Sequence, residues 1–178
     1  MENKNPSRID GATPLFIAAK KGFFEICKLI VENVENKNPA ANDGVTPLFM
    51  AAFKGHFEIC KLIIEKTLDK NPAKNDGETP LFIAAKNGHF EICKLILESM
   101  EDKNPANNIG DTPLHIAAEN GYFPICKFIV ENVANKNPSN NNGKTILHIA
   151  TEKGHLEIYK LIFDNVEEKY PKDNNGKT

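Results

Sequence analysis

The chain has 178 residues, with 22 Lys and Arg against 24 Asp and Glu and a formal net charge of −2. Interspersed, nearly balanced charge argues against a general nucleic-acid or membrane-surface binder, and no apolar run approaches the roughly 20 residues of a membrane span. The opening stretch Met1–Asp10 is polar, so no secretory leader is expected there.

Glycine and proline organise everything else. Gly11, Gly44, Gly77, Gly110, Gly143 and Gly176 form one ladder with a step of 33 residues, and Gly22, Gly55, Gly88, Gly121 and Gly154 form another. Pro6, Pro39, Pro72, Pro105, Pro138 and Pro171 keep the same step, as do Pro14, Pro47, Pro80 and Pro113; Pro124 alone is off the lattice. Both residue types fix backbone conformation, so one small backbone unit is expected to recur along an array.

In chain order, Thr13-Pro14 starts the first helix: a hydroxyl for free amides, then a proline where no donor is needed. Leu15, Ala18 and Ala19 share a face at i, i+3, i+4, and the small alanines admit a close partner. Gly22 is expected to end this helix in left-handed geometry. A second helix follows with Ile26, Cys27, Leu29, Ile30 and Val34 on its apolar stripe and Glu25, Lys28 and Glu32 opposite. Asn38-Pro39 must extend, and Asn42-Asp43-Gly44 is turn-forming. The opening recurs as Thr46-Pro-Leu-Phe-Met-Ala-Ala52, Thr79-Pro-Leu-Phe-Ile-Ala-Ala85, Thr112-Pro-Leu-His-Ile-Ala-Ala118 and the altered Thr145-Ile-Leu-His-Ile-Ala-Thr151.

Two short helices and a turn per 33 residues, opened by Thr-Pro-Leu-His, resemble the ankyrin repeat family across essentially the whole chain. The resemblance implies an all-α solenoid of stacked helix-turn-helix units joined by hairpin-like turns, in a single domain with units 11–43, 44–76, 77–109, 110–142 and 143–175. Residues 1–10 and 176–178 repeat flanking parts of the lattice, as expected of a piece of a longer array. Two departures stand out. Phe16, Phe49 and Phe82 replace the histidine, so the first three junctions should rely on apolar packing while His115 and His148 bond a neighbouring turn. Val34, Thr67, Met100, Val133 and Val166 stand where the family places a glycine after the second helix. Those helices are therefore expected to run on, to near Glu35, Leu68, Glu101 and Ala134.

Chemistry finds little footing. Gly143-Lys-Thr145 and Gly176-Lys-Thr178 mimic the end of a phosphate loop, but Pro138 and Pro171 occupy its required first glycine. His56 with Cys60, and His89 with Cys93, have i, i+4 spacing, yet a zinc site needs three or four converging ligands. Cys27, Cys60, Cys93 and Cys126 repeat one position and lie too far apart for disulfides. They read as buried thiols of an intracellular, cytoplasmic protein. No catalytic set, metal or cofactor is expected. The ladder Lys28, Lys61, Lys94, Lys127 and Lys160 is neutralised by acids three before and four after it, and reads as a solvated face.

Positions where the copies disagree are the informative ones. The family resemblance places them on a concave side where partners bind. They are Ala12, Val45, Glu78, Asp111 and Lys144 before the threonines; Lys20, Lys21, Phe53, Lys54, Lys86, Asn87, Glu119, Asn120, Glu152 and Lys153 before the glycines; and Ile109 at a turn. Basic and aromatic character dominates the first three units and acidity enters in the last two, with Phe53 as the anchor candidate. An extended peptide would place acidic residues on the first half, an apolar one at Phe53 and a basic one on the second half. A protein or peptide partner, no nucleic acid, no membrane insertion and a monomer are expected. The competing reading is a structural spacer within a scaffold or channel array.

Overall fold

In a computed structural model that describes residues 6–178, each Thr-Pro step opens a helix as its residue chemistry dictates. Ten helices occur among the described residues: α1 Pro14–Lys21, α2 Phe24–Asn33, α3 Pro47–Lys54, α4 Phe57–Lys66, α5 Pro80–Lys86, α6 Phe90–Glu98, α7 Pro113–Glu119, α8 Phe123–Asn132, α9 Ile146–Lys153 and α10 Leu156–Asn165. None is long and apolar enough to cross a membrane. The junction copy at Met1–Asn5 lies outside the described residues.

The threonine cap works as its sequence suggests. Thr13, Thr46 and Thr79 accept the amides of Phe16, Phe49 and Phe82 on their hydroxyls at 3.1–3.2 Å. A second cap comes from the asparagine before the junction proline. Asn38, Asn71, Asn104 and Asn137 accept the amides of Leu48, Leu81, Leu114 and Leu147 on Oδ1 at 2.8–3.2 Å. Two orphan donors of each such helix are thereby satisfied from outside it.

Odd-numbered helices stack on odd and even on even, with each pair packed internally. The core runs unbroken between the two rows: Leu15, Leu48, Leu81 and Leu114 are fully buried, beside paired alanines such as Ala51 and Ala52 and the thiols Cys60 and Cys126. All glycines of both ladders take positive φ.

The expected long second helices do not form. They end at Asn33, Lys66, Glu98, Asn132 and Asn165, and Val34, Thr67, Val133 and Val166 are already extended. In four of the five junctions a lysine meets carbonyls at or just past the helix end, whereas after α8 Lys136 reaches the Asn165 side-chain oxygen instead. The ammonium of Lys37 donates to the Val34 carbonyl, that of Lys70 to Ile64 and Thr67, that of Lys103 to Leu97 and Met100, and that of Lys169 to Phe163. A cation folded onto the last carbonyls satisfies the helix end without a left-handed glycine.

Candidate protein-binding face

The turn tips are tied to each other before they offer anything to a partner. Asn42 donates its carboxamide to the Ile9 carbonyl, and Asn75, Asn108, Asn141 and Asn174 each donate to the preceding asparagine of the series, at 2.9–3.3 Å. Their backbone amides reach the next carbonyl of the same lower turn, as Asn75 N–H does to Asp43 at 3.1 Å. Read from sequence, these asparagines are only turn formers; their perfect 33-residue recurrence is the signal for a second duty.

The histidine positions divide as expected. Nδ1 of His115 accepts the Thr112 amide at 3.1 Å, which leaves Nε2 to donate to the Lys144 carbonyl 3.3 Å away in the next turn. His148 repeats this with Thr145 and, at 3.0 Å, with Lys177. Where phenylalanine replaces it, Phe49 and Phe82 are buried, and the Lys74 ammonium of the next turn lies 5.9 Å from the Phe49 ring centre. The second-helix histidines also fasten units: His89 Nε2 lies 3.3 Å from the Phe53 carbonyl and His155 Nε2 3.3 Å from that of Glu119.

The residues read as partner-binding do not form one uniform surface. Ala12 is buried and so cannot line it. Val45 is half-buried against the core. Asn87 and Asn120 spend their carboxamides on the carbonyls of Ile83 and Ile116 at 2.8 Å, closing α5 and α7. Asp111 accepts the Asn140 carboxamide at 2.8 Å across a junction. Ile109 is exposed at a tip.

The charges sort more sharply. Glu78 lies 3.3 Å from Lys74 and 3.6 Å from Lys86, Lys144 2.8 Å from Glu152, and Lys153 3.0 Å from Glu119. The carboxylates of the last two units, read from sequence as a docking place for a basic residue, are thus already paired within the stack. Lys20, Lys21 and Lys54 make no ion pair among the described residues. Phe53 is 36% exposed, with the Lys54 ammonium 4.6 Å from its ring centre.

An open cavity of about 390 Å³ lies between segments 101–104 and 132–138, and none of the predicted residues lines it. The four thiols are buried and unpaired. Burial pushes Cys27 up to about 11 and Cys60, Cys93 and Cys126 up to about 12. No group of three metal-ligating side chains occurs among the described residues.

The family described as "Ankyrin repeats (3 copies)" matches residues 1–74, 69–140 and 101–175. No curated protein matches the chain. With capped helix pairs stacked at a 33-residue step and a family match along nearly its full length, the chain belongs to the ankyrin repeat family.

Proposed function

We propose that this chain is a non-catalytic, intracellular protein-binding module of five units, 11–43, 44–76, 77–109, 110–142 and 143–175, that takes an extended peptide across its turn tips and odd-helix ends. Ankyrin repeats generally mediate protein–protein interaction. The observation that carries the reading is the contrast in charge pairing. Among the described residues Lys20, Lys21 and Lys54, on the first two units, have no carboxylate partner, and Lys54 lies over the Phe53 ring, whereas the later units have closed theirs. An acidic segment with one apolar side chain complements that half, the charges setting orientation and on-rate and the apolar contact the residence time. Four buried thiols held as free cysteines support an intracellular setting.

The test is affinity for a captured partner with Phe53→Asp and Lys54→Glu, at low and high salt. Each should weaken binding about tenfold or more, while Lys28→Glu on the even-helix row leaves it unchanged. A partner indifferent to both substitutions does not use this face, and a chain without any Phe53-dependent partner is a spacer.

A further inference from the structure

The chain holds four Asn-Gly steps: Asn87-Gly88, Asn120-Gly121, Asn142-Gly143 and Asn175-Gly176. Glycine has no side chain to shield its own amide nitrogen, so in such a step that nitrogen can reach the asparagine Cγ. The state of the carboxamide separates the copies. Asn87 and Asn120 close α5 and α7, with Nδ2 donating to the carbonyls of Ile83 and Ile116 at 2.8 Å. Asn142 is exposed at a turn tip, and among the described residues only its main chain is bonded. Its amide donates to Asn140 Oδ1 at 3.0 Å, and its carbonyl accepts Asn174 N–H at 3.2 Å. Each glycine amide also donates within its turn, Gly143 to Asn140 at 2.9 Å and Gly88 to Ala85 at 3.3 Å, so one main-chain bond must open in every copy. At Asn87 and Asn120 a second bond must break, and at Asn142 none.

We propose that Asn142-Gly143 is a spontaneous modification site, at which the side chain cyclises and reopens as aspartate or isoaspartate. The Gly143 amide nitrogen gives up its proton and bonds to Asn142 Cγ, and the carboxamide nitrogen leaves as ammonia. Water then opens the imide at either carbonyl. Opening at Cγ gives aspartate. Opening at the main-chain carbonyl gives isoaspartate, in which the chain runs through Cβ and Cγ and is one methylene longer. Asp43-Gly44 and Asp76-Gly77 reach the same imide only by expelling water from a carboxyl group that is ionised at neutral pH, and so lag behind.

The two products differ in what they do to the stack. The tip already accepts aspartate: Asp43 and Asp76 hold the same place before Gly44 and Gly77, with Oδ1 accepting the amides of Val45 and Glu78 at 3.0 Å. Isoaspartate has no such room. The carbonyl that accepts Asn174 N–H becomes a free carboxylate beside a lengthened chain, and Asn174 Oδ1 stands 2.5 Å from the place of a Cβ on Gly143. A longer chain there displaces the Asn174 carboxamide from the Asn141 carbonyl, now 3.0 Å away. One link between successive tips is released while those made by Asn42, Asn75 and Asn108 stay closed.

The test ages the full chain in mildly alkaline buffer at body temperature and maps its peptides by mass spectrometry. The peptide carrying Asn142 should gain one mass unit about fivefold faster, or more, than those carrying Asn87 and Asn120, the factor that one hydrogen bond of ordinary net strength supplies. Asn142→Gln, whose longer side chain cyclises far more slowly, should lose that gain and keep the native circular dichroism spectrum. Isoaspartyl methyltransferase should label the aged peptide. Hydrogen exchange at the Asn174 amide should rise in the isoaspartyl form and stay as in the fresh chain in Asn142→Asp. Equal rates at Asn87, Asn120 and Asn142, or a gain that survives Asn142→Gln, overturn the site. Exchange at Asn174 that is the same in fresh and isoaspartyl chains overturns its effect on the stack.

Discussion

His115 shows how one side chain ties two units together. Its Nδ1 can only accept from the Thr112 amide, so the ring must be neutral with its proton on Nε2 for the Lys144 carbonyl. Burial holds its pKa below the ordinary histidine value, outweighing the upward pull of the Asp111 carboxylate. A folded pKa below the unfolded value of about 6.5 means that the unfolded chain binds the proton more readily. The stability from this site is therefore present above about pH 6.5 and is lost as pH falls below it. His115→Phe, which copies Phe49 and Phe82, should cost about 1–3 kcal/mol at pH 7.5 by stranding buried polar groups. The difference from wild type in urea unfolding should shrink as pH is lowered toward 5. A constant difference would show that the ring is not held neutral.

At the scale of the element, helix ends decide more than helix interiors. The second helices carry apolar stripes that could continue, yet they stop, α4 at the extended Thr67, and in most junctions a lysine donates to carbonyls at or just past the end. The first helices stop at a left-handed glycine or one residue before it, and two of these glycines separate the causes. Gly154 has φ +73 and nothing within 4 Å of an added Cβ, whereas Gly88 has φ +74 and Tyr122 Cε1 2.9 Å away. Gly154→Ala should cost about 1–2 kcal/mol, the left-handed penalty alone. Gly88→Ala should cost about 1 kcal/mol more, because the half-buried Tyr122 ring must shift. Thermal or urea midpoints of the two variants check the order, and equal losses would mean that the Gly88–Tyr122 contact yields freely.

Across the whole molecule, each unit touches only its neighbours, so stability should grade along the stack. The thiol ladder reports this without a mutation. Only thiolates react readily, and burial keeps Cys60, Cys93 and Cys126 up at about 12 and Cys27 at about 11. Labelling at pH 8 should therefore wait for local opening. Cys27, whose thiol burial raises least, should react first and Cys93, in the middle of the five described units, last, as read by mass spectrometry of labelled peptides. Equal rates at all four would mean that the array opens only as one cooperative unit.

Glycine, proline and threonine at fixed intervals were enough to determine the unit, its helix starts and the all-α array, because each of these residues restricts its own backbone wherever it stands. The histidine-to-turn bonds and the buried phenylalanines followed from the same register. Tertiary structure alone decided what depends on a neighbour 33 residues away. It recruited Asn75 and its equivalents as cross-turn fasteners and buried Ala12. It also closed Glu119 and Glu152 into ion pairs and set the Lys54 ammonium over the Phe53 ring. A side chain's backbone preference is local, but which atom its charge or amide meets is set by stacking.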